Sequence, residues 1–308
     1  MDRLDIKLLG ELSRRTSGVT FQPLVKRGYK RIADNLGLDE DTIRKRVERL
    51  RACGLMRGWK ILINPSLLGL TTYTIQLSVG PGSTPDEAIR KIKLVPGVFS
   101  IIREVGDVLR VSLLCEDEES FKNRLGLVSE LVGARDVTTL SNGNPEADVE
   151  LTKTDWQLID RLKLRPSLNY RELAEDSGLS TKTVRRRLIR LTQGKALGFV
   201  PDIDLRLLEG AACVDLFVYY TNSGLKATID GSIFTKFEEY VLRAGWGSRS
   251  HGHFMFIVPR VTIAQEILDW ARAQQGVREA RLSFIYEWIL LHDQAWSELE
   301  RARKLTTE

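Results

Sequence analysis

A chain that repeats its own motifs at a long, fixed interval can only fold as two copies of one unit. Leu4-Asp5-Ile6-Lys7-Leu8-Leu9 returns as Thr154-Asp155-Trp156-Gln157-Leu158-Ile159, and Ile32-Ala33-Asp34-Asn35-Leu36-Gly37-Leu38 as Leu173-Ala174-Glu175-Asp176-Ser177-Gly178-Leu179. Thr42-Ile43-Arg44-Lys45-Arg46-Val47 returns as Thr183-Val184-Arg185-Arg186-Arg187-Leu188. The offset is 150 in the first block and 141 afterwards, so the first copy carries about nine extra residues near 13–29. A period of this length is far beyond a solenoid repeat and describes a duplicated two-domain unit within 308 residues.

Each copy opens with helical periodicity. Leu4, Leu8 and Leu12 form an i, i+4, i+8 stripe, a second helix is expected over 29–36 with Gly37 as its C-cap, and Asp39 caps a third helix whose inner stripe is Ile43, Val47 and Leu50. In the second copy Ser180 is the cap and Val184, Leu188 and Leu191 the stripe. With Gly54-Leu55 and a strand near 59–63, this is a winged helix-turn-helix. The remainder of each copy reads strand, helix, strand, strand, helix, strand, the order of a ferredoxin-like sandwich. In the second copy the expected helices lie at 234–243 and 263–273 and the last strand at 278–286. The fold class is thus α+β, a tandem repeat of winged helix-turn-helix and βαββαβ sandwich. Its expected domains are 1–60, 61–141, a turn-rich linker at 142–150, 151–201, 202–286 and a C-terminal helix over 287–308.

Composition excludes several classes. A hydrophobic content of 43% rules out a disordered chain, and no apolar run approaches the roughly 18 residues of a membrane span. No signal-peptide core follows Met1, so a cytoplasmic protein is expected. Cys53, Cys115 and Cys213 lie far apart with no CxxC spacing, which fits reduced thiols. There is no P-loop, no GxGxxG and no recognisable nucleophile–base spacing, so neither an enzyme nor a cofactor is expected.

Charge separates by domain. Residues 1–60 hold 15 basic and 8 acidic side chains, residues 151–200 hold 11 and 5, and the remainder holds 20 basic against 28 acidic. Both helix-turn-helix units therefore carry the sign that binds phosphate. With the apolar stripe inward, Thr42, Arg44, Lys45, Arg46 and Arg49 lie on the flanks of the first recognition helix, and Lys182, Thr183, Arg185, Arg186, Arg187 and Arg190 on the second. Such a helix reads base edges from its first turns while flanking cations meet phosphates, so double-stranded DNA is the expected partner. Arg14, Arg15, Lys26, Arg27, Lys30 and Arg31 in the insert are either an arm to the DNA backbone or a solubilising loop.

These residues resemble the DNA-binding domain of the Lrp/AsnC family, and the βαββαβ units resemble that family's effector and oligomerisation (RAM-like) domain, with Gly106-Asp107 at the turn where members carry a Gly-x-x-Asp type motif. The resemblance implies a prokaryotic, sequence-specific transcription regulator that pairs through its sandwiches and responds to a small effector such as an amino acid. Gly106 and Asp107 would touch that effector, or serve turn geometry alone. Fused in one chain, the copies would form a covalent pseudo-dimer able to assemble further into homo-oligomers. Because its recognition helices differ, its DNA site is expected to be asymmetric or an imperfect palindrome. A second resemblance competes: sirohaem decarboxylases share this layout and bind a tetrapyrrole, and His251 and His253 lie near that family's His-x-Tyr-Arg stretch, though the tyrosine is missing. A buried or turn histidine pair is the plainer reading, and no metal site is expected because His292 is the only other histidine.

Overall fold

The computed structural model describes residues 1–13, 28–144, 147–244 and 251–307. Most of the basic insert, 14–27, therefore lies outside the described residues. In chain order the first copy comprises α1 (Arg3–Ser13), α2 (Tyr29–Leu36), α3 (Glu40–Ala52), β1 (Met56–Ile63), β2 (Thr71–Ser78), α4 (Pro85–Ile92), β3 (Val98–Glu104), β4 (Val108–Cys115), α5 (Glu118–Val132) and β5 (Arg135–Asn142). The second comprises α6 (Lys153–Leu164), α7 (Tyr170–Ser177), α8 (Thr181–Gln193), β6 (Leu197–Ile203), β7 (Ala212–Tyr220), α9 (Lys226–Lys236), β8 (Val241–Ala244), β9 (His251–Val258), α10 (Val261–Arg272) and β10 (Val277–Leu290), followed by α11 (His292–Thr307). No described helix is long and apolar enough to cross a membrane. The chain divides into two compact units, Met1–Asn64 with Pro145–Leu282 and Pro65–Asn144 with Ser283–Glu308.

The first unit holds both helix-turn-helix heads and most of the second sandwich. Asp39 accepts the Thr42 N–H at 2.8 Å and Ser180 accepts the Thr183 N–H at 3.1 Å, so both recognition helices start where the capping residues require. Gly37 and Gly178 close the preceding helices in the left-handed conformation. The stripes Ile43, Val47, Leu50 and Val184, Leu188, Leu191 are buried, each side chain stabilising its head by about 1.5–3 kcal/mol. Helix α1 is buried almost all round, because its outer side lies against β8 and the Glu238–Tyr240 turn. There Arg3 and Lys7 reach Glu239 at 2.5 and 3.7 Å, and a Cβ on Gly10 would stand 2.9 Å from the Val241 carbonyl oxygen.

The strand after each recognition helix pairs with its counterpart from the other copy. β1 and β6 run antiparallel, from Met56 opposite Ile203 to Ile63 opposite Leu197. With the 141-residue offset, Trp59 corresponds to Val200 and Lys60 to Pro201; the observed pairs Trp59–Pro201 and Lys60–Val200 therefore centre the ladder on equivalent positions. Across it, Lys60 and Arg57 both reach Asp202 at 3.3 Å, and the buried Asn64 donates to the Lys195 carbonyl at 3.1 Å.

The second sandwich orders its strands β10-β7-β9-β8, the first β5-β2-β4-β3, and each has its two helices packed on the sheet. In the second unit Ile75, Leu77, Ile89, Ile92, Val111, Phe121 and Val128 form the core between sheet and helices. Two expectations are corrected here. The helix expected over 287–308 begins at His292: residues up to Leu290 continue β10, paired with β3 from Ile285 opposite Glu104 to Leu290 opposite Ser100, and the Trp288 indole donates to Ser100 at 2.9 Å. Trp296, Leu299 and Ala302 then form the buried face of α11. The helix expected over 234–243 is α9 at Lys226–Lys236, and 241–244 is instead β8, held by pairing Val241 with Phe256 and Arg243 with Met255.

Candidate nucleic-acid interface

The outer faces of α3 and α8 are set by which side chains their own heads pull back. Asp5, in the first turn of α1, is buried, and its carboxylate accepts from Arg46 Nη1 at 2.8 Å and Arg49 Nη2 at 2.5 Å. Asp155, in the first turn of α6, is equally buried and accepts from Arg187 Nη1 at 3.0 Å and Arg190 Nη2 at 2.5 Å. One carboxylate thus draws two guanidinium groups of the recognition helix onto the first helix, in the same way twice. Burial alone would raise the Asp155 carboxyl; hydrogen bonds from Thr152, then Arg187 and Arg190, outweigh it and hold it below the usual carboxylate range.

The expected DNA-facing residues therefore divide. Arg46, Arg49, Arg187 and Arg190, read from sequence as flanking cations, are anchored to these buried carboxylates. Arg44 and Lys45, and Lys182, Arg185 and Arg186, are exposed without such an anchor, whereas Arg49 is anchored and still exposed. Arg44 bonds Glu40 at 2.9 Å, and its guanidinium carbon lies 5.7 Å from the centre of the Tyr29 ring. Thr42 and Thr183 turn their hydroxyls to the cap residues, at 2.7 Å from Asp39 and 2.9 Å from Ser180. Lys30 and Arg31, the described end of the insert, are exposed in the first turn of α2.

Sequence reasoning missed the two aspartates, although a signal was present: a carboxylate one helical turn ahead of an apolar pair, Asp5 before Leu8-Leu9 and Asp155 before Leu158-Ile159. It also missed a backbone difference at the turn after the recognition helix. Gly54 there has φ +78°, while its counterpart Lys195 adopts φ +57°, a conformation costly for a residue with a Cβ.

The expected effector residues lie on a surface turn. Gly106 has φ +98°, Asp107 is exposed, and its carbonyl accepts the Val79 N–H at 2.8 Å, which fits the geometric role of a β-turn. At the corresponding end of the second sandwich, His251 is buried and its imidazole is held down to about 4 by burial, then by His253 and Lys226. His253 stacks on Phe217 at 4.5 Å and places Nε2 3.0 Å from the buried Asp215. Among the described residues no group of three or more histidine, cysteine, aspartate or glutamate side chains is placed to hold a metal ion.

The sequence profile of the AsnC-type helix-turn-helix domain matches residues 1–51 and 151–192, the two heads. The HTH-type transcriptional regulator Ptr1 of Methanocaldococcus jannaschii is 29% identical over 122 residues, 39% of this chain and 76% of its own length. The HTH-type transcriptional regulator LrpA of Pyrococcus horikoshii is 30% identical over 115 residues, 36% of this chain and 77% of its own. Among solved structures, the sirohaem decarboxylase NirDL in complex with an iron-uroporphyrin III analogue aligns over 99% of this chain and 100% of that one, with a TM-score of 0.50 at 15% identity, a likeness of fold. With the helix-turn-helix matched in both heads and relatives aligned over three quarters of their length, the chain belongs to the Lrp/AsnC family, as a duplicated unit.

Proposed function

We propose that the chain is a sequence-specific, DNA-binding transcription regulator that acts as a covalent pseudo-dimer. The observation that supports this reading is the β1–β6 ladder, which is centred on equivalent residues, the pairing expected of two heads arranged about a near-twofold axis. Two such helices suit successive major grooves of one duplex, about one helical turn or a multiple apart. Arg44, Lys45, Lys182, Arg185 and Arg186 are then the side chains for DNA, and Arg46, Arg49, Arg187 and Arg190 set the pose of the helices. Phosphate contacts supply most of the affinity and make it steeply salt-dependent. The small effector and further self-association rest on the family alone. Gly106 and Asp107 would take part in effector binding only if the exposed turn is covered in a higher assembly.

Selection from a random-sequence duplex pool at two salt concentrations tests the reading. An enriched, asymmetric or imperfectly palindromic motif, lost when Lys182, Arg185 and Arg186 become alanine, supports it. The same preparation is titrated with sirohaem and followed by visible absorption. Uptake of the pigment without any enriched motif would replace the regulator by a tetrapyrrole-handling protein on the same fold.

A further inference from the structure

The two recognition helices are built alike but are not charged alike. Helix α3 holds five basic residues and three acidic ones, Glu40, Asp41 and Glu48, whereas α8 holds five basic residues and none that is acidic. The difference extends into the ion pairs. Arg44 is met by Glu40 at 2.9 Å and Asp41 at 3.9 Å. Its counterpart Arg185 follows Thr181 and Lys182, which occupy the places of those two carboxylates. Arg46 bonds both Asp2 and Asp5 at 2.8 Å. Its counterpart Arg187 meets Thr152 in the place of Asp2, a hydroxyl that accepts at 3.0 Å but brings no charge. In the first head, Arg46 and Arg49 are thus balanced by two carboxylates. In the second, Arg187 and Arg190 share the single carboxylate of Asp155.

We propose that the two heads engage DNA unequally, with α8 as the phosphate anchor and α3 as the weaker, charge-compensated partner. The inference rests on the DNA-binding reading above and deepens it. A guanidinium that already holds a carboxylate gives little net cation release when it meets a phosphate, because the carboxylate it leaves, now beside the DNA, takes up a cation in exchange for the one the phosphate loses. A guanidinium without that compensation displaces a full share, and the salt dependence of binding counts such displacements. Helix α8 therefore contributes more to the salt slope than α3, although each presents adjacent outward cations at the same positions.

The test compares three full-length variants with the parent chain, by fluorescence anisotropy on a labelled random-sequence duplex across a salt series. Arg185→Ala/Arg186→Ala should lower the magnitude of the log K against log salt slope by about 2, with at least a tenfold loss of binding at low salt. Arg44→Ala/Lys45→Ala should lower it by about 1 or less. Glu40→Gln/Asp41→Asn should instead tighten binding and steepen the slope by about 1, as α3 is released from its compensation. All six side chains are exposed, and matching circular dichroism melts verify that the fold is intact. Equal slope losses from the two double alanine variants, or an unchanged slope in Glu40→Gln/Asp41→Asn, would overturn the inequality while leaving DNA binding in place. A parent chain with no salt-dependent DNA binding would overturn the underlying reading, and the inequality with it.

Discussion

The heads and the sandwiches were duplicated together, yet they have kept different things. In the heads, the buried carboxylate and its two arginines recur position for position, Asp5 with Arg46 and Arg49, Asp155 with Arg187 and Arg190. In the sandwiches the backbone register recurs but the chemistry does not. Thr71 through Ser78 pair with Cys115 through Val108 as Ala212 through Tyr219 pair with Val258 through His251, so Arg110 and His253 stand at the same place, as do Gln76 and Phe217, and Thr74 and Asp215. The first sandwich fills that place with a buried ion pair, Arg110 Nε at 2.7 Å from Glu104, beside Gln76 and a Thr74–Ser112 hydroxyl pair at 3.1 Å. The second fills it with an imidazole stacked on Phe217 and facing Asp215. A sheet face tolerates exchange of one polar solution for another if each is internally satisfied. A helix that must present its outer face in one orientation does not.

Breaking this contrast is most direct at Glu104. Glu104→Gln removes the carboxylate charge 2.7 Å from the buried Arg110 Nε and should cost about 3 kcal/mol in urea unfolding, with much of it recovered when Arg110 is also replaced by methionine. A loss below 1 kcal/mol would mean that the pair is not a structural element of its sheet. In the heads, Asp155→Asn should cost about 3 kcal/mol, reduced from a fully buried pair because the arginines reach solvent, and Asp5→Asn about 2 kcal/mol, because Asp2 still holds Arg46. A larger loss from Asp5→Asn than from Asp155→Asn would show that Asp2 does not share the first clamp.

The second sandwich alone should respond to mild acid through His251. Its folded imidazole titrates near 4, below the ordinary value of 6.5, so the unfolded chain binds the proton first as pH falls. The stability that this histidine contributes is complete above pH 6.5 and is lost progressively down to about 4, a loss of about 2–3 kcal/mol. His251→Gln should flatten that part of the stability–pH curve, and a curve parallel to the parent's would remove the assignment. The smallest effect concerns the turn after each recognition helix. Lys195→Gly should stabilise the chain by about 1 kcal/mol by relieving the left-handed backbone, whereas Gly54→Lys should destabilise it by a similar amount, both read from thermal midpoints.

What was legible in the sequence was local. Apolar stripes, Asp39 and Ser180 as caps and Gly37 as a terminator act within a few residues of one another, and their pattern carries the helix-turn-helix without reference to the rest of the chain. What was illegible depended on partners distant in sequence. Arg46 and Arg49 look solvent-facing until Asp5, some forty positions earlier, is folded beneath them. Residues 287–290 combine tryptophan, isoleucine and leucine in a way that suits a helix as well as a strand, and only pairing with β3 decides it. Helix α9 is expected about eight residues too late, at 234–243, because its exposed Ala227, Gly231 and Thr235 leave its amphipathic pattern faint.

The ladder between β1 and β6 has a consequence for how such a chain can change over time. Separate subunits that pair through identical strands must keep those strands matched, and a mixture of unlike subunits would scatter into several combinations. Joined in one polypeptide, each head meets its unlike counterpart in every molecule made, with no recognition code needed to sort them. Asp202 can then appear diagonally across the ladder from Lys60, 3.3 Å away, without a matching change on the other strand, and one of the helices α3 and α8 can lose its acids while the other keeps them. Continuity of the chain is what permits the two halves to become different from one another while remaining paired.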